Sequence, residues 1–332
     1  MRAIVFEKSD LNDLRVVELS RPKPNPHEVV IRVVESGVNP VDYYTVTSRW
    51  VKPMPHIPGA EFTGIVEEVG DHVSTVKPGD KVVVYGRVFD GTCDLCLASM
   101  ENLCRNGGIV GIVTNGGWAE YAVVPDRNLI KLPSDVNWDL AASLPVAALT
   151  SYHALREANL RAGETLVVFG ASGNTGQFAV QLGKLMGAKV IAVSGKSWVS
   201  ELGADYVASI NNVKDMVEKA TDGRMADVVI DPLGERTWSV SVSLLGRGGR
   251  WVTFGQLTGG EVKIQLSLLY SNQFKLIGST GGTRRELLEL VNIMGKLKVK
   301  VDKYYELSEA REALTRLFSP QRNGRIMIKI SV

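Results

Sequence analysis

Residues 165–186 constrain the fold more than any other segment. An unbroken apolar strand, Thr165-Leu166-Val167-Val168-Phe169, runs into Gly170-Ala171-Ser172-Gly173-Asn174-Thr175-Gly176 and on into an apolar helix. The first glycine permits a tight bend, the middle one lets a diphosphate approach the main chain, and the last allows close helix–strand packing. The helix N-terminus then offers unpaired N–H groups and the positive end of its dipole to an anion. Three glycines at this spacing are weak evidence alone. With a strand before, a helix after and a second strand, Lys189–Val193, at the expected distance, they predict a dinucleotide site centred on Gly170, Ser172, Gly173, Asn174, Thr175 and Gly176. The plain alternative is a glycine-rich connection that binds nothing.

The end of the second strand carries Ser194-Gly195-Lys196. A site for NAD(H) places a carboxylate there to accept from the ribose hydroxyls, and a carboxylate repels a 2′-phosphate. A hydroxyl, an open backbone and a cation suit a phosphate instead, so the expected cofactor is NADP(H) rather than NAD(H). The alternative is that Lys196 is merely solvated. Too few residues separate Ser194 from Leu202 for the usual following helix, and Trp198 either caps this short stretch or stacks on the adenine.

Apolar strands continue to alternate with helices: Val207–Ile210, Asp227–Ile230, Arg250–Phe254 and Phe274–Gly278 are strands, and Trp238–Leu245 falls between them. That pattern predicts a doubly wound parallel sheet over 137–281, opened by a helix from Asn137 to Ala158. Residues 1–136 differ. Short β-branched runs (Val29–Val34, Gly64–Gly70, Lys81–Tyr85 and Glu120–Val124) lie between glycines and prolines, as in an irregular β-barrel. A helix at Arg284–Met294 and a last strand at Arg325–Ile330 return to this first domain, giving it 1–136 and 282–332.

A chain of 332 residues with 45% apolar and 22% charged residues can fill two cores. Its net charge of +2 comes from scattered residues, which argues against nucleic acid and a polybasic membrane face. No apolar run reaches the roughly 18–20 residues of a membrane span. Met1-Arg2-Ala3-Ile4-Val5-Phe6 is charged too early for a signal peptide, so the default expectation is a cytoplasmic protein.

All three cysteines lie between Cys93 and Cys104, a poor disulfide framework and a good metal-site pattern. Asp90-x2-Cys93-x2-Cys96-x7-Cys104 supplies four ligands for one closed, structural Zn²⁺, with no open position for chemistry. The alternative is three free thiols and a turn aspartate.

Taken together these features resemble the medium-chain dehydrogenase/reductase superfamily: the zinc-type alcohol dehydrogenases and their quinone-oxidoreductase relatives. Pro58-Gly59-Ala60-Glu61-Phe62-Thr63-Gly64, Lys77-Pro78-Gly79-Asp80-Lys81-Val82, Gly117-Trp118-Ala119-Glu120-Tyr121 and Gly248-Gly249-Arg250-Trp251-Val252 match it. The resemblance implies a GroES-like catalytic domain, a Rossmann cofactor domain and an active site in the cleft between them. It implies that Thr150, the Asp231-Pro232-Leu233-Gly234 turn, Phe254-Gly255 and Ser279 flank the cofactor, and that the protein is a homodimer or homotetramer. Zinc-type members hold a catalytic metal at three positions that here are Asn39, Ala60 and Val146, so a catalytic zinc is expected to be absent. Glu61, Asp42 and His56 could assemble an improvised metal site. Asn39-Pro40-Val41-Asp42-Tyr43-Tyr44 is similar to the zinc-free quinone-oxidoreductase branch, which makes Asn39, Asp42 and Tyr44 the candidate catalytic residues, while Trp50 replaces a further tyrosine. Asn39 as a turn residue and Tyr44 as core packing are the bland alternatives.

The expected activity is NADP(H)-dependent hydride transfer to a small activated carbonyl, enone or quinone. The rivals are a zinc alcohol dehydrogenase with atypical ligands and a dinucleotide-binding protein with little chemistry.

Overall fold

The computed structural model describes residues 1–48 and 51–331. Its contacts divide the chain into two compact units, residues 1–147 with 283–332, and residues 148–282.

In chain order the first unit contains strands β1 (Arg2–Val5), β2 (Arg15–Glu18) and β3 (Glu28–Gly37), helix α1 (Pro40–Thr47), and strands β4 (Phe62–Val69), β5 (Lys81–Val84) and β6 (Arg87–Val88). Helix α2 (Asp94–Leu97), strands β7 (Gly108–Ile109), β8 (Tyr121–Pro125) and β9 (Leu129–Lys131), and helix α3 (Trp138–Ala141) follow. The second unit runs α4 (Leu149–Glu157), β10 (Thr165–Phe169), α5 (Gly176–Leu185), β11 (Lys189–Val193), β12 (Tyr206–Ala208), α6 (Val213–Ala220), β13 (Ala226–Ile230), α7 (Glu235–Ser243), β14 (Leu245–Thr253), α8 (Leu266–Asn272) and β15 (Lys275–Gly278). Helix α9 (Arg284–Ile293), β16 (Val301–Glu306), α10 (Ala310–Arg316) and β17 (Arg325–Lys329) complete the first unit.

The second unit is one parallel sheet in the order β12-β11-β10-β13-β14-β15. Counted within the unit this is the order 3-2-1-4-5-6, whose carboxyl-end crevice binds dinucleotides. β10 is buried at all five residues, as a central strand covered on both faces must be. The first unit is built on β16-β17-β3-β4-β5-β9, with β8 also paired to β3. Val29, Ile31, Val33, Phe62, Val82, Trp118, Ile326 and Ile328 fill its core.

The helix expected from Asn137 to Ala158 is broken. Asn137 Oδ1 caps Leu140 N at 3.0 Å and α3 ends at Ala141, a π-turn spans Leu144–Ala148, and α4 begins at Leu149. Pro145 has no N–H and its ring crowds the preceding turn, so a continuous α-helix cannot pass through it. The units accordingly divide after Ala147, later than the sequence placed the first boundary. The short stretch after Ser194 forms a six-residue 3₁₀ turn, Ser197–Leu202, closed by left-handed Gly203 and carrying a half-buried Trp198.

A buried charge cluster on β3 was not anticipated. Lys329 Nζ lies 2.9 Å from Glu35 Oε2 and 2.9 Å from Asp139 Oδ1, and the Tyr304 hydroxyl donates to Asp139 Oδ2 at 2.7 Å. Burial first, then the adjoining Asp139 carboxylate, push the fully buried Glu35 carboxyl up to about 8. A group whose pKa is raised on folding stabilises the fold below its unfolded pKa and loses that contribution as pH climbs through the folded one. Stability should therefore fall between about pH 5 and about pH 8, and Glu35→Gln should flatten that slope in denaturant titrations at stepped pH. An unchanged slope would refute the assignment.

Candidate functional site

Within the second unit, the turn after β10 has the geometry its glycines predict. Gly170 has φ +64°, the left-handed region that glycine enters without strain. A side-chain carbon on Gly176 would overlap the Gly170 carbonyl, so only glycine lets α5 start this close to β10. The Gly173 N–H donates to Gly170 O at 2.8 Å, which closes the turn. The Ser151 hydroxyl donates to Thr175 O at 2.7 Å, placing the first turn of α4, and with it Thr150, against the same loop.

The remaining cofactor candidates occupy the carboxyl ends of the neighbouring strands. Ser194 follows β11, Asp231–Gly234 follows β13, Phe254-Gly255 follows β14 and Ser279 follows β15. They are tied to one another: Ser279 N donates to Thr253 O at 2.8 Å, and Leu233 packs 3.5 Å from the position of a Cβ on Gly170. Ser279 Oγ is buried without a partner, as is the second oxygen of the fully buried Asp231, whose first accepts from Leu233 N and from the Thr237 hydroxyl, both at 2.9 Å.

At the end of β11, Ser194 Oγ accepts from Lys196 N at 3.0 Å, and nothing lies within 4 Å of a Cβ placed on Gly195. Asp205 is no substitute for the missing carboxylate. Its oxygens take Val190 N and the Lys184 ammonium, both at 2.7 Å, at the opposite end of the strand.

In the first unit, Asn39 caps α1 and Asp42 returns the bond to Asn39 N at 2.8 Å, a reciprocal capping box. Asn39 is 2% exposed and Asp42 1%, and both are committed to protein partners. Asp42 Oδ1 accepts from Ala60 N at 2.9 Å, while burial pushes its carboxyl up to about 7. Asn39 Nδ2 donates to Glu61 Oε2 at 2.7 Å. Tyr44 differs: it is half-buried, and its hydroxyl has no hydrogen-bond partner among the described residues. Tyr43 turns elsewhere, its ring 4.7 Å from that of Phe318. Trp50 lies outside the described residues.

The centre of this region is a pair the sequence reading missed. Glu61 and Arg325 form an ion pair with both side chains 0% exposed. Glu61 Oε1 also accepts Val146 N at 2.7 Å and Ala147 N at 2.8 Å, so four donors saturate the carboxylate: these two amides, Asn39 Nδ2 and the Arg325 guanidinium. A side chain on Gly37 would overlap both charged groups. The signal was present as a lone arginine opening the apolar strand Arg325-Ile326-Met327-Ile328 and a glycine closing β3. Glu61, Asp42 and His56 do not converge as ligands. The two ring nitrogens of His56 face backbone carbonyls, Pro53 O at 3.2 Å and Gly111 O at 2.8 Å, and burial lowers its pKa.

The cysteine lobe does converge. One ligand atom each from Asp90, Cys93, Cys96 and Cys104 lies within 4.8 Å of the others, the one group of this kind found among the described residues. Asp90 Oδ1 accepts Cys93 N at 2.9 Å and Thr92 N at 2.7 Å, and Asn106 Nδ2 binds the other oxygen at 2.6 Å. These bonds hold the Asp90 carboxyl well below the usual range, as an anion ready to ligate. Three sulfurs and one carboxylate fit a tetrahedral zinc ion with no vacant position.

A doubly wound sheet carrying this turn, in a chain that also bears the cysteine lobe, is the architecture of a nicotinamide-dependent dehydrogenase or reductase. Residues 25–134 match the alcohol dehydrogenase GroES-like domain, and residues 174–296 match the zinc-binding dehydrogenase family. An NAD-dependent alcohol dehydrogenase of Sulfolobus acidocaldarius is 33% identical over the whole of both chains. An acryloyl-coenzyme A reductase of Sulfurisphaera tokodaii is 28% identical across 99% of this chain and 100% of its own. A thermostable alcohol dehydrogenase from Pyrobaculum aerophilum, solved with cobalt and zinc bound, superposes with a TM-score of 0.93 at 42% identity, covering 99% of each chain. The chain belongs to the medium-chain dehydrogenase/reductase superfamily, in its zinc-type alcohol dehydrogenase and quinone oxidoreductase-like group, and is an oxidoreductase. Among the described residues no helix is long and apolar enough to cross a membrane.

Proposed function

We propose that this oxidoreductase uses NADP(H) to reduce activated carbonyl or alkene substrates, such as enones, quinones and conjugated ketones, without a catalytic zinc. One observation carries the reading. Where zinc-type relatives place metal ligands, Ala60 and Val146 offer no donor side chain, and the adjoining Glu61 is consumed by Arg325, Asn39 and two backbone amides.

The reduced nicotinamide supplies the hydride. Negative charge then develops on the substrate oxygen, and catalysis requires a group that binds that charge better than the neutral ground state. The open Tyr44 hydroxyl is the donor in this scheme. Asn39 and Asp42, closed in by their partners, act by holding α1 and therefore Tyr44 in place. One phenol polarises oxygen less than a Lewis acid does, which favours acceptors that are already activated. Gly170–Gly176 hold the diphosphate, with Thr150, Gly234, Phe254, Gly255 and Ser279 around the rest of the dinucleotide, and Ser194, Gly195 and Lys196 take the 2′-phosphate. Asp90, Cys93, Cys96 and Cys104 hold one structural zinc that staples a lobe with little core of its own.

Metal analysis of the purified protein, combined with NADPH and NADH oxidation assays against enones, quinones, aryl ketones and simple aldehydes, tests all of this. One zinc per chain, lost on Cys96→Ser, and turnover with NADPH on activated acceptors are expected. The names of the relatives favour a second reading, a zinc alcohol dehydrogenase with unusual ligands. Two metals per chain and oxidation of simple alcohols would establish that reading and overturn the first.

We also infer self-association through β15. It is an edge of the parallel sheet, and Leu266 and Tyr270 on the preceding helix are 72% and 74% exposed. An uncovered edge beside exposed apolar groups invites pairing with a second copy. Light scattering should give a dimer or tetramer mass, and a monomer at micromolar concentration would end this inference.

A further inference from the structure

We propose that His27 and His72 form a chelating site for one divalent transition ion, of the zinc, nickel or copper class, on the surface of the first unit. The chain has four histidines, and these two lie outside everything assigned above. His27 precedes β3 and His72 follows β4, so the β3–β4 pairing brings both to one end of the sheet. His72 Nδ1 and His27 Nε2 are 3.3 Å apart, with ring centroids 4.8 Å apart and planes inclined by 61°.

The backbone fixes this approach. His72 N donates to Pro26 O and Gly70 N to Glu28 O, each at 2.9 Å, while Asp126 N donates to His27 O at 3.0 Å. A side chain on Gly70 would overlap the carbonyls of Asn25 and Pro26, so glycine is what lets the two loops touch. The Glu28 carboxylate accepts Asn25 N at 3.0 Å and Asn25 Nδ2 at 2.8 Å, stiffening the loop ahead of His27. Two ring nitrogens at this separation, each bonding a metal at about 2.05 Å, subtend an angle of about 107°, close to tetrahedral. Imidazole is the side-chain ligand best suited to zinc, copper and nickel, and both rings are exposed to incoming ions. Solvent completes the coordination. In the absence of metal, one ring donates to the other.

The test is calorimetric titration of Ni²⁺ into untagged protein whose cysteine lobe is already loaded with zinc. The parent should bind one nickel at least tenfold more tightly than His27→Gln or His72→Gln, and the double variant should lack the site. In NMR spectra, Ni²⁺ should broaden the ring protons of two of the four histidines together. Equal nickel binding by the parent and the double variant, or broadening of a single ring, overturns the proposal. The double variant should keep its hydride-transfer activity, so this result stands apart from the functional assignment.

Discussion

Arg325→Met should destabilise the first unit by about 3–5 kcal/mol, the range for breaking a buried ion pair from one side. The substitution preserves much of the volume, so cavity formation contributes little. It leaves the Glu61 carboxylate with no access to water and no positive partner, because both side chains are 0% exposed. A double variant separates the role of charge from that of hydrogen bonding. In Glu61→Gln with Arg325→Met the anion is gone and the amide oxygen still accepts Val146 N and Ala147 N, so most of the loss should return. In Glu61→Leu with Arg325→Leu those two amides lose their acceptor, each costing about 1–3 kcal/mol if it stays buried. An apolar replacement that is often neutral at other buried ion pairs should therefore fail here. Chemical denaturation of the three variants gives the answer, and an Arg325→Met protein within about 1 kcal/mol of the parent contradicts the whole account.

The same network explains what could and could not be read in the sequence. α9 was legible because burial of one face imposes a helical period on its residues, and β10 and β11 because strands covered on both faces read as unbroken apolar runs between turn residues. The glycine turn was legible because a bend with positive φ and a close helix approach admit one residue type at Gly170 and Gly176. The cysteine lobe was legible because its four candidate ligands lie within fifteen positions of one another, Asp90 to Cys104. Glu61 and Arg325 meet across 264 positions, and Glu35 and Lys329 meet only because β3 and β17 pair antiparallel. No local pattern marks such partners. The helix through Pro145 failed for another reason: its apolar period was sound, but the ring interrupts the backbone ladder regardless of period. Asn39 and Asp42, read from the sequence as catalytic candidates, meet in one capping box. What the sequence could not show is that their polar atoms face inward, toward each other, Ala60 and Glu61.

Ser194→Asp combined with Lys196→Ala should shift the ratio of kcat/KM for NADPH over NADH by about a thousandfold toward NADH, or about 4 kcal/mol. Two effects of comparable size add. Removing the Lys196 ammonium deletes the charge-assisted contact proposed for the 2′-phosphate, worth about 1.5–3 kcal/mol, and leaves the ribose diol of NADH untouched. Introducing a carboxylate at 194 supplies the acceptor that the diol lacks and repels the phosphate dianion. The site can take the change: the neighbouring Gly195 has nothing within 4 Å of its Cβ position, and Ser194 Oγ already accepts Lys196 N, a bond that a carboxylate strengthens. Asp205 cannot mask the result, since Lys184 and Val190 N hold its oxygens at the far end of β11. Paired kinetics with both reduced coenzymes decide the matter. A parent enzyme that prefers NADH, or a variant that keeps the parental preference for NADPH, would remove the phosphate from Ser194-Gly195-Lys196 while leaving the diphosphate turn at Gly170–Gly176 intact.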